Sequence, residues 1–552
     1  MLHNVWHYVE PGILLAILIV ALTSGATERT QHRWFGRLAR RRWLAVGIVS
    51  GIAFVGAVLL TLGRGAPVPA IHDEFAYLLQ GDTFIHGRLT NPPHPLAEFF
   101  DTFHVLQKPT YTGKYPPAQG LLLALGQILG HPVVGVWISF ALFCGALCWM
   151  LQAWLPPRWA LLGALLMTVR LLAASGIQQW AYGYWGGAVA ALGGALLFGA
   201  GRRLWERPQW THSLALATGL TLLANSRPWE GLLVSMVMLG TLAWRYLSCR
   251  VSSFSQTTTQ LILPVAAIMT LCLAWMGHYN QRVTGDWHRF PYREHSDQYT
   301  QVPLFLWQAD ATSSKPYSDP LLQEFYCGFE TTDWNRAQHW RSTLELTTHR
   351  LMAPQQYFLG WLLFPLWIVG CLTGKAWPRF AAFTFLGLWG IGLQTCWFLP
   401  HYLAPAICLV PYLVMTGMRR VWHWRIAERE VGRTYVMLTL LAYALLACVT
   451  LVPYKNRSDW NHRRAQVVSQ LTTAGGEHVV IVRYSADHSP HCEWVANQAD
   501  INEAPIIWAR EKEPEKLRQL LQYYPDRKFW VLEADESPAK LEPLDTSAFF
   551  SS

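Results

Sequence analysis

Apolar positions along this chain fall in long unbroken runs, not in the alternation of strands or the three-and-four spacing of surface helices. The runs cover 12–22, 43–62, 133–155, 160–177, 186–200, 213–224, 231–244, 261–276, 357–372, 380–399, 403–418 and 435–452. A helix needs about twenty residues to cross the hydrocarbon, so the pattern predicts a polytopic α-helical membrane protein of about twelve spans. Within the membrane region, 1–453, two long loops interrupt the rhythm at 63–132 and 277–353. In the first loop, Phe75, Leu78 and Leu79 of "DEFAYLLQGDTFIHG" are spaced for a short helix lying along the outer surface. "NPPHPL" and "KYPPAQG" then break the chain, and "LLLALGQILG" predicts a second surface helix.

The tail, 454–552, has a different texture. "DWNHRRAQVVSQLTTAGG" reads as an amphipathic helix ended by glycines. "HVVIVRY", "APIIWAR" and "RKFWVLEAD" read as strands, with a helix, "PEKLRQLLQYY", between the last two. This predicts a small soluble α/β domain with at least one crossover, and it carries no phosphate-binding glycine motif.

Composition agrees with the membrane reading: of 552 residues, 52% are hydrophobic and 14% charged. Charge then orients the chain. Arg29, Arg33, Arg37, Arg40, Arg41 and Arg42 fill one gap between runs, Arg202, Arg203 and Arg207 a second, and Arg419, Arg420, Arg425, Arg429 and Arg433 a third. Cationic short loops stay in the cytoplasm, which sends both long loops and the tail to the other side. "MLHNVWHYVEPG" lacks the basic start of a signal peptide, so the first run reads as retained. The net charge of +9 reflects these loops and gives no reason to invoke nucleic acid. The ten cysteines form no disulfide framework and no C-x-x-C pair.

Candidate chemistry gathers at the outer ends of the runs. His72, Asp73 and Glu74 stand together just after an apolar run. Alone, such acids cap a helix N-terminus. Other outer connections add Arg227 and Glu230 in "NSRPWEG", His401 and Tyr402 in "LPHYLAP", and Gln178, Gln179, Tyr182, Tyr184 and Trp185 in "IQQWAYGYWGG". Arg170 lies inside a proposed span, where a charge needs a partner, a wet cavity or the interface. Lys108 and Lys114 add cations to the first loop. Acids and cations in one outer cleft suit an anionic, membrane-borne substrate. For metal ligation the candidates are His72, His86, His94 and His104 in the first loop, and Asp487, His488, His491, Cys492 and Glu493 in the tail. Neither set has tight ligand spacing, and a divalent metal is left open as a cofactor.

"HDEFAYLLQGD" followed by "GKYPPAQGLLLALG", with "YWGGAVAALGGAL", "NQRVTGDWHRFPYREHSDQY", "NSRPWEG" and "HYLAPA", resembles the GT-C membrane glycosyltransferases. The resemblance is to the protein O-mannosyltransferase and lipid A aminoarabinose transferase group, and it spans most of the membrane region. It implies a GT-C-like fold and transfer of a sugar from a polyprenyl phosphate to a hydroxyl on a lipid, glycan or protein acceptor. It also implies that Asp73 is the base, that Glu74 is a second or positioning carboxylate, and that Lys114, Arg170 and Arg227 contact the donor phosphate. His72, Tyr115, Tyr184, Trp185, Glu230, His401 and Tyr402 are then substrate-binding candidates. Two departures stand out: Tyr115 separates Lys114 from the double proline, and His401 stands where relatives often have Arg. A transporter, or a non-catalytic glycan-binding or assembly protein of the same fold, remains the alternative. A transporter is expected to show repeated halves with binding groups near the bilayer midplane.

Overall fold

The computed structural model describes residues 2–23, 33–173, 179–249, 252–308, 315–426, 429–450, 460–546 and 549. Helices dominate. Several start on a proline, whose missing N–H costs nothing in the first turn: Pro132–Trp154, Pro157–Ala173 and Pro228–Cys249. Among the described residues, Arg42–Arg64, Pro132–Trp154, Pro228–Ser248 and Phe254–Thr284 have the length and hydropathy to cross a membrane, and the bent pair Pro400–Ala406 with Leu409–Val421 adds a fifth candidate. The sequence pattern, about twelve runs, counts more than this because apolarity alone does not set helix length. Runs such as those of Trp210–Ala224 and Gly360–Cys371 give helices of only 15 and 12 residues.

The bundle is apolar outside as well as inside. Trp43, Ile52, Val55, Leu59 and Leu62 on Arg42–Arg64 are exposed, and only 6% of the apolar stretch of Phe254–Thr284 is buried. Surfaces of this kind are covered by lipid rather than water. Close packing inside relies on small residues: a Cβ on Gly194 of Gly187–Leu204 would collide with the carbonyl of Pro405, and one on Gly199 with the ring of Trp149. The glycine-rich helix thereby seats the short Pro400–Ala406 helix that carries His401 and Tyr402.

The first loop folds as helix His72–Ile85, a two-residue antiparallel hairpin of β1 (Val105–Leu106) and β2 (Thr112–Gly113), and helix Ala118–Ile128. The expectation of a helix lying on the surface is corrected for His72–Ile85. His72, Glu74, Ala76, Tyr77, Leu79, Gln80 and Thr83 are all buried, because helix Ala118–Ile128 packs on one side and the tail covers the other.

In the tail, helix Trp460–Ala474 ends at Gly475 and Gly476, with φ of 65° and 91° that glycine adopts without strain. Strands β3 (His478–Arg483), β4 (Ile506–Arg510), β5 (Lys528–Glu533) and β6 (Lys540–Pro543) follow, in the sheet order β4-β3-β5-β6. β3 is parallel to both β4 and β5, and helix Pro514–Tyr523 makes the crossover between them. The antiparallel edge strand β6, too polar to register as a strand in the pattern, completes the sheet. One face of β3, with Val480 and Val482, packs on Val467 and Leu471 of the first tail helix. The other, with Val479 and Ile481, belongs to an apolar cluster that continues through Leu517 and Leu520 into Phe99, Phe100 and Tyr77 of the first loop. The tail and the first loop therefore share a core. The 277–353 loop joins them through Phe325 and Tyr326 packed on Phe103.

Candidate active site

Helix His72–Ile85 follows Ile71, an extended residue without a capping side chain. Asp73 and Glu74 fall in its first turn, where acids complement free amides and the helix dipole. From there the pair diverges. Glu74 turns inward: Oε2 accepts the Ala70 N–H at 2.9 Å and Oε1 the Tyr184 N–H at 2.8 Å. It caps its own helix and pins the "YGYWGG" segment to the first loop. Burial pushes its carboxyl up to about 7, against the pull of those two backbone donors. Asp73 turns the other way and keeps 21% of its side chain exposed. Its Oδ1 accepts the Tyr115 hydroxyl at 2.5 Å, and its Oδ2 lies 3.9 Å from His104 Nε2.

The β1–β2 hairpin accounts for the rest of this corner. His104 precedes it and Lys114 follows it, and the Lys114 N–H donates to the His104 carbonyl at 3.0 Å. Their side chains meet, Lys114 Nζ lying 2.8 Å from His104 Nδ1. His104 has φ of 63°, the left-handed region that residues other than glycine rarely occupy. Burial, reinforced by the Lys114 charge, holds its imidazole well below the ordinary range. Burial also pulls Lys114 down, with Glu330 and Asp73 opposing, and pushes Glu330 up, with Lys114 opposing.

Across from Asp73 stands Arg227. Tyr77, Tyr115, Tyr292 and Tyr402 each lie near enough to both charges to feel them. The Arg227 guanidinium lies 4.7 Å over the Tyr402 ring and makes no hydrogen bond or ion pair among the described residues. Glu230, on the first turn of Pro228–Cys249, is its nearby counter-charge. Beyond Tyr402, His401 is buried with its ring 3.8 Å from that of Trp185. Both His401 nitrogens and Trp185 Nε1 lack partners among the described residues.

Of the residues singled out in the sequence, Asp73, Glu74, Lys114, Tyr115, Arg227, Glu230, His401 and Tyr402 thus come together at one end of the bundle. Three other residues expected at the site make contacts elsewhere in this structure. Arg170 donates to the carbonyls of Tyr357 and Gln356, because a guanidinium within the bundle takes the nearest carbonyls left free where the chain departs from regular helix. His72 faces the tail, stacked 4.1 Å from Phe103 with Nε2 at 2.9 Å from the Pro490 carbonyl. Tyr184 is used in the scaffold, its hydroxyl donating to Pro67 O and its carbonyl accepting from Gln119. Gln178 lies outside the described residues.

Among the candidate metal ligands, the His72 ring lies 5.6 Å from that of His104 and 6.1 Å from that of His491, and others make separate contacts. His94 meets Asn502 and Tyr524, His488 meets Asp535, and Glu493 meets Arg510 and Tyr484. Among the described residues no three His, Cys, Asp or Glu side chains gather closely enough to hold a metal ion. Sequence reasoning did not name Tyr77, Tyr292, His295 or Glu330 as site residues. Tyr292 and His295 sit in the quoted stretch "FPYREHSDQY", but nothing local there tells which side chains face a carboxylate more than two hundred residues away.

No protein-family model matches the chain, and no curated protein matches it either. Solved structures similar to it include the Archaeoglobus fulgidus oligosaccharyltransferase in its apo form, at 12% identity and a TM-score of 0.48, covering 88% of this chain and 69% of that one. ArnT from Cupriavidus metallidurans bound to undecaprenyl phosphate is similar at 12% identity and a TM-score of 0.46, covering 87% and 91%. A further similar structure is the A. fulgidus enzyme AglB with an inhibitory peptide and a dolichol-phosphate, at 12% identity and a TM-score of 0.37, covering 90% and 69%.

Proposed function

We propose that this protein moves a sugar from a polyprenyl-phosphate donor to an acceptor hydroxyl, by single displacement with Asp73 as base. The observation that carries the reading is the division of labour within the acidic pair. Glu74 is buried and both its oxygens are spent on backbone amides, whereas Asp73 is partly open, oriented by Tyr115, and shares a cluster of tyrosines with the Arg227 guanidinium, which makes no hydrogen bond among the described residues. Asp73 takes the proton of the acceptor hydroxyl, whose oxygen attacks the anomeric carbon. The bond from that carbon to the phosphate oxygen breaks, and Arg227 stabilises the charge that develops on the departing polyprenyl phosphate. The tyrosines and Trp185 offer ring faces and hydroxyls of the kind that hold sugars. The acceptor, a lipid, glycan or protein, approaches from the water side.

The same reading assigns a GT-C-like protein of about twelve spans with a C-terminal α/β domain, and sets the site and that domain on the non-cytoplasmic face of a bacterial inner membrane. The arginine-rich short loops support this orientation. So does the packing of both long loops against the tail, in keeping with all three lying on one side.

The test is Asp73→Asn, assayed as sugar transfer from a polyprenyl-phosphate donor by purified protein. Asn keeps the size and an oxygen for the Tyr115 hydroxyl but removes the basic carboxylate. Turnover is expected to fall about a hundredfold to ten-thousandfold with donor binding retained, and Glu74→Gln to cost less. Near-native turnover in Asp73→Asn would refute Asp73 as the base.

A further inference from the structure

Lys114 carries the expectation of a phosphate contact, yet its ammonium is turned towards the back of an imidazole. Nζ lies 2.8 Å from His104 Nδ1, and His104 Nε2 in turn lies 3.9 Å from Asp73 Oδ2, while the other carboxylate oxygen holds the Tyr115 hydroxyl. We propose that Lys114 and His104 are positioning residues for Asp73, the ammonium setting the imidazole tautomer and the imidazole fixing the carboxylate. This rests on Asp73 being the base.

The argument begins with donor inventory. An ammonium has three N–H donors and no acceptor, so at this distance His104 Nδ1 must accept. A neutral imidazole then carries its single proton on Nε2, the nitrogen facing Asp73. Tyr115 is hydrogen-bonded to Oδ1, and the imidazole N–H, 3.9 Å from Oδ2, acts on it as an electrostatic neighbour that closes to a hydrogen bond with a small shift, so the two bias the carboxylate towards one orientation and leave its remaining lone pairs to the open side. Backbone geometry adds a second, independent observation. His104 is held in a left-handed conformation, φ 63°, with its carbonyl tied to the Lys114 N–H, and strain of that kind persists only where the surroundings enforce it.

The groups facing His104 come from several elements. Lys114, Tyr115 and Asp73 belong to the first loop, His72 to the same helix as Asp73 with its ring at 5.6 Å, and His295 and Phe325 to the 277–353 loop, each with its ring at 6.0 Å. Glu330 and Lys315 act on Lys114 and His295 from that same loop. In this surrounding His104 stays neutral and does not compete with Asp73 for the proton. Deprotonation of Lys114, which burial brings below the ordinary lysine range, would release Nδ1 from its acceptor role and let the tautomer flip. Activity is therefore present below the Lys114 pKa and lost as pH rises through it.

The experiment compares purified wild type, Lys114→Met, His104→Asn and the double variant in transfer from a polyprenyl-phosphate sugar, with kcat and donor KM measured across pH. Asn suits the left-handed backbone, and His104→Gly, which suits it equally, stands in should the Asn variant lose its thermal unfolding transition. Each single variant is expected to lose about tenfold or more in kcat with donor KM changed by less than about twofold. The double variant should be no slower than the slower single, since the two residues act through one contact. The alkaline fall of kcat in wild type should vanish in both singles. A Lys114→Met variant with severalfold higher donor KM, adding to the effect of His104→Asn, would place the ammonium on the donor and overturn the proposal. Wild-type kcat in His104→Asn would do the same. If Asp73→Asn is inactive in either case, the base reading stands while the positioning role falls; an active Asp73→Asn removes the base reading itself.

Discussion

Arg510→Met should loosen the tail from the loops that carry the site. Arg510 ends β4 with its side chain 1% exposed, and its guanidinium spans three segments. It pairs with Glu493 of the tail, donates through Nε to the Asp101 carbonyl of the first loop at 2.7 Å, and reaches Asp319 of the 277–353 loop at 3.4 Å. Removing one partner of a buried pair costs about 3–5 kcal/mol, because the other charge stays buried without compensation. Here the lower end applies. Glu493 keeps the Tyr484 hydroxyl at 2.6 Å and the Val495 N–H at 2.7 Å. Asp319 keeps Lys512 at 3.3 Å and the Leu321 N–H at 3.0 Å, so it adds little to the loss. About 3 kcal/mol corresponds to roughly a hundredfold shift in docking, at about 1.4 kcal/mol per factor of ten. Hydrogen exchange in detergent should therefore quicken by about that factor in β4 and in helix His72–Ile85 of Arg510→Met. Adding Glu493→Gln, which removes the stranded charge, should recover part of it. A change under about fivefold, or a double variant no better protected than the single, would refute the view that this buried pair anchors the tail.

Glu74 predicts a pH dependence of stability. Its folded carboxyl titrates near 7 against an ordinary 4.5, so the folded state binds a proton that the unfolded state has released. The Glu74 contribution to stability is fully present below about pH 4.5 and is lost as pH rises to about 7, up to roughly 3 kcal/mol at about 1.4 kcal/mol for each pH unit. Thermal unfolding against pH should show this step in wild type and a flatter curve in Glu74→Gln; identical curves would mean that Glu74 is not the source. The orientation predicts that single cysteines at Thr90 and Ser537, in a cysteine-free background, react with an impermeant thiol reagent in intact cells or spheroplasts. Protection of either site would overturn the shared non-cytoplasmic placement.

The candidate residues were legible because they sit at turns on one side of the apolar runs, where several polar side chains from separate segments gather. Asp73, Arg227, Glu230 and Tyr402 were found that way, each from its own segment. Arg170 is less legible: a charge within an apolar run needs a partner, and sequence does not say that two backbone carbonyls supply one here. His104 was visible only as one histidine among several, since neither its left-handed backbone nor its contact with Lys114 leaves a local signature.

The sequence by itself determined the membrane character, the long loops, the arginine asymmetry and the main strands of the tail, because these depend on the apolarity, period and charge of contiguous residues. Tertiary structure decided which of two adjacent acids is free. Asp73 and Glu74 have nearly the same chemistry and the same helix turn, so nothing local separates them. They differ because the backbone of Ala70 and Tyr184 consumes one carboxylate, while the Tyr115 hydroxyl, beside the following hairpin, holds the other with His104 3.9 Å away. Side-chain roles of that kind depend on contacts between segments far apart in the chain, and only packing creates them.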